Sequence, residues 1–248
     1  MDFDLGISGG GTYQKPHRRL ERFTVPGRNG TLTISDDTFE DVEITYQCYF
    51  ANGFHTKYQG LMDWLYSKKG MLRLEDTYHP EHFRLAEFVG DVAPETGTLN
   101  FSGRFELVFR CDGRLFLKSG EREYSYTAED YIHTFSENGY SVRIINPTPY
   151  RALPLIYTTD IGNFFINTKK ILRADTIIAP DHEPFERVVI DCETGEVFYE
   201  SDRNKSINAY ISFPDDLPYL EPGENYIKQY VTQIGDLPFD IVPRWHTI

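Results

Sequence analysis

Cysteine is scarce and scattered: Cys48, Cys111 and Cys192 form an odd set with no C-x-x-C pair. That argues against a disulfide framework or a zinc site, and for buried reduced thiols in a reducing compartment. Positive charge is also in short supply. With 25 Lys and Arg against 38 Asp and Glu, the formal net charge is -13, so the chain lacks the basic surface that phosphate backbones or anionic lipid require. No membrane partner and no specific nucleic-acid binding are expected, although a channel through which DNA slides without sticking stays compatible. No apolar run approaches the roughly 18 residues of a membrane span, and the acidic start Met1-Asp2-Phe3-Asp4 has none of the features of a targeting leader. The expectation is a soluble protein made in the cytosol. Proline and glycine, 14 and 19 residues among 248, are too few for a disordered tract.

Aromatic residues are abundant instead, with 17 Tyr and 18 Phe, and these suit half-buried pleated surfaces better than helices. Strict alternation over 42–50 places Val42, Ile44, Tyr46 and Cys48 on one face of a strand, which makes Cys48 a core residue. Residues 99–111 alternate in the same way, with Phe101, Gly103, Phe105, Leu107 and Phe109 opposite Ser102, Arg104, Glu106, Val108 and Arg110. Between them, 58–70 is the best helix candidate: Leu61, Trp64 and Leu65 form one stripe, Lys68 and Lys69 follow at the C-terminal end, and Gly70 suits the stop. Trp64 is expected to anchor this helix on the sheet. Asp36-Asp37 reads as a polar turn after a short strand at 31–34. The Gly-rich entry, 1–16, has little to pack, so its order is expected to come from a partner.

Residues 112–140 are less regular, and the domain junction is placed near their end. Beyond it, short strands with turn signals between them read as a sandwich. They are placed at 141–146, 153–158, 163–167, 176–178, 187–191, 197–199, 208–213, 224–231 and 239–245. Cys192-Glu193-Thr194-Gly195 forms the loop of a hairpin among them. No repeat at a propeller or solenoid period is present. The sequence therefore predicts a mainly β protein in two domains. Residues 1–138 form a sandwich or barrel-like domain with one helix, and 139–248 form a second β-sandwich.

The pattern offers little chemistry. Gly6 to Gly11 lacks the Gly-Lys-Ser/Thr ending of a phosphate loop. His79 and His82 stand three apart, but Pro80 interrupts the helix that zinc ligation at that spacing needs. The acid pairs Asp36-Asp37, Glu129-Asp130 and Asp215-Asp216 sit at turn-like positions and read as solvated surface rather than as glycosidase carboxylates. No Gly-x-Ser-x-Gly elbow exists. No catalytic residue, cofactor or metal site is expected, and the chain is read as not an enzyme. Tyr199, Tyr210, Tyr219 and Trp245 could form a stacking platform for sugar rings, or could be core or interface anchors. One stretch stands apart, Thr24-Val25-Pro26-Gly27-Arg28-Asn29-Gly30-Thr31-Leu32. Two turn signals within five residues make a rigid corner that carries Arg28 outward; it is either a connector between two strands or a contact with another copy.

Several stretches, taken in order, resemble the distal tail proteins (Dit) of long-tailed, non-contractile bacteriophages (siphophages) and their prophages. They are Val25-Pro26-Gly27-Arg28-Asn29-Gly30, the 42–50 strand, Leu61-Met62-Asp63-Trp64-Leu65 with Gly70 and Leu74-Glu75-Asp76, and the 103–111 strand. Ile145-Asn146 before Ala152-Leu153-Pro154, Ile190-Asp191 with Gly195-Glu196-Val197, and Phe213-Pro214 with 220–225 complete the set. The order and spacing carry the likeness, since each short motif is common. The resemblance implies a virion tail component assembled in the host bacterial cytoplasm: an N-terminal domain closing into a homo-hexameric ring, and a C-terminal sandwich similar to galectins or carbohydrate-binding modules. The ring would be a baseplate hub joining tail-tube protein to tail-tip or receptor-binding proteins, with DNA passing through. On that reading Pro26, Gly27, Arg28 and Asn29 are the candidate ring-interface residues, and Trp64 and Leu65 are core. A carbohydrate-binding module for host cell-wall adhesion is the alternative.

Overall fold

The computed structural model describes residues 3–9, 12–90, 92–97, 101–127, 130, 132–134, 139–159, 163–167, 169–170, 173–174, 187–208, 211–213, 217–230 and 239–248. The fold is mainly β with one α-helix, and the chain divides into two compact units, 1–115 with 248, and 116–247.

The first unit is built on the pairing of Val42–Phe50 with Gly103–Cys111, which runs antiparallel from Val42 opposite Cys111 to Phe50 opposite Gly103. Directly opposed residues share a face, so Val42, Ile44, Tyr46, Cys48 and Phe50 join Cys111, Leu107 and Phe105 in the core. Gly6–Ser8 pairs with the free edge of Val42–Phe50. His82–Phe88 adds to the far edge, extended by Leu72–Leu74. The helix Phe54–Tyr66 covers this face with Phe54, Leu61, Met62 and Leu65 buried. It begins at Phe54, four residues before the expected start, behind Gly53, whose φ of 63° leaves no apolar signature in the sequence. The buried stripe runs through Phe54, Leu61, Met62 and Leu65, and Trp64 lies beside Leu65 but off that stripe, 41% exposed; Leu65 is core and Trp64 is not. Trp64 is flanked by the Phe3 ring at 5.7 Å and the Lys68 ammonium at 5.3 Å.

The described residues of the entry arm are held by their own chain rather than left for a partner. Asp4 pairs with Lys57, Gly6–Ser8 adds to the sheet, and Thr12 is buried. From that arm the chain leaves the body as a hairpin, Arg18–Thr24 paired with Thr31–Phe39 in a separate two-stranded sheet. Asp36 and Asp37 lie inside the second strand and not at a turn.

In the second unit two sheets share one core. One runs in the order Tyr124–Tyr126, Phe239–Val242, Leu155–Thr158, Val188–Asp191, Glu196–Tyr199, Asp202–Ser206. The other runs Ile132–Thr134, Gly139–Asn146, Gly223–Tyr230, Asn163–Ile166, Lys169–Lys170. Ile156, Val188, Ile190, Val197, Phe239 and Ile241 from the first meet Val142, Ile144, Ile166 and Ile227 from the second, the arrangement of a β-sandwich. Tyr124–Tyr126 pairs with Phe239–Val242 at the other end of the sequence, within the 116–247 unit. The hairpin over 188–199 forms where expected, closed by the Gly195 N–H donating to the Asp191 carbonyl at 2.8 Å. The strand expected at 176–178 lies outside the described residues.

Candidate functional site

The corner at 25–30 is a built turn. Pro26 and Gly27 occupy its central positions, Gly27 has a φ of 80°, and the Arg28 N–H donates to the Val25 carbonyl at 3.1 Å. Pro at the first central position and a positive-φ glycine at the second define a type II turn. Gly30 repeats the left-handed conformation at 81°, and Pro26, Gly27, Arg28 and Asn29 are all exposed. They form the tip of the hairpin, and the register of its strands shows what the tip is attached to. Phe23 stands opposite Leu32, and Glu21 opposite Ile34. Phe23, Leu32 and Ile34 therefore share one face, and they are 46%, 39% and 52% exposed.

Every residue of Arg18–Thr24 is exposed. A pair of strands with three large apolar side chains open to water on one face buries almost nothing to stabilise itself, and hairpins of this kind are marginal alone. The arm is also charged against the trend of the chain. Arg18, Arg19, Arg22 and Arg28 outnumber Glu21, Asp36 and Asp37 on the arm, whereas acids dominate the rest of the chain. Sequence reading found the tip and missed this face. The alternation of Leu32 and Ile34 was visible, but its partner strand reads Arg-Arg-Leu-Glu-Arg-Phe-Thr and carries no burial pattern.

The other candidates resolve into structural roles. Tyr199 and Trp245 are core, at 1% and 4% exposure, and Tyr219 lies half-buried under the Arg151 guanidinium at 4.3 Å. Tyr210 lies outside the described residues, and burial removes Tyr199 and Trp245 from any sugar-stacking surface. His79 directs Nε2 to the Thr12 carbonyl at 3.1 Å, with its ring 6.4 Å from that of His82. No group of three or more His, Cys, Asp or Glu is placed to hold a metal among the described residues. Of the acid pairs, Asp215-Asp216 and Glu129 lie outside the described residues, as do Gly10 and Gly11 of the glycine run. The three cysteines are free and buried. Burial pushes the Cys48 thiol up to about 12 and that of Cys111 up to about 11, so neither is a nucleophile at neutral pH.

The short motifs of the second unit are stitching. Asn146 is buried, and its Nδ2 donates to the Tyr150 carbonyl at 2.8 Å while its Oδ1 accepts from the Thr148 N–H and hydroxyl. Asn225 is fully buried; its Oδ1 accepts from the Glu221 N–H at 2.8 Å and its Nδ2 donates to the Glu221 carbonyl. Asp191, also buried, accepts from Arg244 Nη1 at 2.8 Å. Burial would raise its carboxyl, but the Arg244 guanidinium outweighs this and holds it below the ordinary range. Each of these groups satisfies a buried polar atom where the chain turns.

No protein-family model matches the chain, and no curated protein matches it in sequence. Solved structures do resemble it. One is a chain of the phage P2 baseplate in its activated conformation with Ca, at TM-score 0.42 and 10% identity over 96% of this chain and 90% of that one, a likeness too low to argue from. Another is the SPP1 Dit (gp 19.1) protein, described as a paradigm of the hub adsorption apparatus in Gram-positive infecting phages, at TM-score 0.62 and 10% identity. That match covers 97% of this chain and 94% of the SPP1 protein, and it shows that the two share a fold along almost their whole length.

Proposed function

We propose that the chain is a structural hub subunit of a bacteriophage or prophage tail, six copies of which close into a ring between tail-tube and tail-tip proteins. The observation that carries this reading is the hairpin at 18–39, an exposed arm with an apolar face and an arginine-rich make-up on an otherwise acidic chain. A cyclic ring needs one patch on each copy to meet a different patch on the next. An arm that buries its apolar face only on a neighbour, and whose arginines meet the neighbour's acidic surface, supplies such a patch. Pro26, Gly27, Arg28 and Asn29 form the leading edge of that contact. The fold shared with the SPP1 Dit protein supports the same role. An acidic chain wall facing the channel would let DNA pass without sticking.

Sedimentation of the purified chain, alone and with tail-tube and tail-tip proteins, tests the reading. A species near six times 28.8 kDa is expected, and Phe23→Ser combined with Ile34→Ser should abolish it while leaving the circular dichroism of the subunit unchanged. A chain that stays monomeric in every mixture refutes the hub assignment.

A further inference from the structure

The hairpin is attached to its unit at two roots, and one of them depends on a buried polar clasp. Thr12 is 2% exposed. Its hydroxyl donates to Asp76 Oδ2 at 2.8 Å, and the same oxygen accepts from the Tyr46 hydroxyl at 2.6 Å. Asp76 Oδ1 accepts the backbone N–H groups of Tyr78 and His79, both at 3.0 Å. The Thr12 carbonyl accepts from Arg84 Nη2 at 3.5 Å and faces His79 Nε2 at 3.1 Å. Arg84 is 4% exposed, and its Nε has no partner among the described residues, so this carbonyl helps to satisfy a buried guanidinium. The arm is held on either side of Thr12 as well: Tyr78 Oη donates to the Gly9 carbonyl, and the Tyr13 ring meets His79 edge-on at 5.3 Å.

Downstream of Thr12 the chain reaches the hairpin. The Glu40 N–H donates to the His17 carbonyl at 2.9 Å, closing the base, and the Arg18 guanidinium lies 5.3 Å from the centre of the Phe39 ring. The second strand of the hairpin runs almost directly into Val42–Phe50. A two-stranded arm joined to a body at one root can swivel about it. A second root, on the other strand, fixes a direction.

We infer that Thr12, Asp76 and Tyr46 are positioning residues for assembly, a clasp that fixes the direction in which the 18–39 hairpin leaves its unit. Thr12 and Tyr46 are themselves buried, so the clasp acts through the arm and not by touching a neighbour. The effect on the arm is independent of the ring; the effect on assembly rests on the hub reading above.

Electron–electron distance measurement tests it, with nitroxides on Thr33→Cys, on the hairpin face opposite Phe23 and Ile34, and His55→Cys on the helix, both exposed positions. Cys48, Cys111 and Cys192 are buried and stay unlabelled. Labelled protein is diluted into excess unlabelled protein, so that only distances within one copy are read. The parent should give one narrow distance. Thr12→Val removes one buried hydrogen bond, which is worth about tenfold in the latched-to-unlatched ratio, and should broaden the distribution and lower the ring fraction. Thr12→Ser, which keeps the hydroxyl, should restore both. Hydrogen exchange in 42–50 and 103–111 serves as the folding control. If the fold is kept and the Thr12→Val distance stays narrow, the clasp does not set the arm. A broadened distance with an undiminished ring fraction removes the role in assembly but not the hub. Absence of any ring from the parent removes the hub reading and the assembly role together, while the distance result still decides what holds the arm.

Discussion

Two adjacent stretches of the first unit, the entry arm over 3–9 and 12–17 and the hairpin over 18–39, are both polar, and neither carries a continuous core face in the sequence. They end in opposite situations. The first is strapped to the body by a salt bridge, an edge strand and a buried clasp, and the second stands in solvent with Phe23, Leu32 and Ile34 uncovered. Local composition does not separate a strap from a free arm; what separates them is whether distant side chains are present to receive them. For the strap those receivers are Asp76, His79 and Arg84, and for the arm we assign them to another copy.

The sharpest way to break this contrast is to remove the strap. Deleting 1–13 takes away the Thr12 partners of Asp76 and Arg84, and stranding buried charge costs about 3–5 kcal/mol, to be read as a lower denaturation midpoint of the first unit. Tyr46→Phe deletes one hydrogen bond of the clasp and should cost about 1 kcal/mol by the same measurement.

Acid weakens the clasp in a defined direction. Burial alone would raise the Asp76 carboxyl, but hydrogen bonds from Tyr46, Thr12 and the His79 N–H outweigh it and hold it below 3.8. A carboxyl lowered on folding contributes its stability fully above its unfolded value and loses it as pH falls through the folded one. Exchange protection around Thr12 should therefore be flat from neutral pH down to the ordinary carboxylate range and fall only below it. Loss of protection already near neutral pH would show that Asp76 does not control the clasp.

On the arm the expectations reverse. Phe23→Ser with Ile34→Ser should change the stability of the free subunit by less than about 0.5 kcal/mol and still abolish the ring. Arg28→Glu should leave the fold untouched and weaken assembly less than the apolar pair does, because an exposed ion pair is worth about 0–1 kcal/mol. If the apolar pair destabilised the subunit as much as the strap deletion, the arm would be packed on its own body and the contrast would fail.

What could be read from sequence follows the same division. The 42–50 strand and the 188–199 hairpin were legible because burial on one face imposes alternation and tight turns demand particular residues. The tip at Pro26-Gly27 was legible for the second reason. The helix start behind Gly53 was not, since a glycine cap ahead of Phe54 looks like any loop. Asp76 gave no sign of its role because its partners Tyr46 and Thr12 lie 30 and 64 residues away. The Arg18–Thr24 strand was hidden for the opposite reason: every one of its residues is exposed, so no intramolecular burial writes a pattern.

We propose that the exposed hairpin face joins copies into a ring, and native mass measurement of the parent and the Phe23→Ser, Ile34→Ser variant in the presence of tail-tube and tail-tip proteins tests this. The account predicts a parent particle holding six subunits of 28.8 kDa and a variant that remains a folded monomer. A variant that assembles as the parent does, or a parent that never assembles, contradicts it.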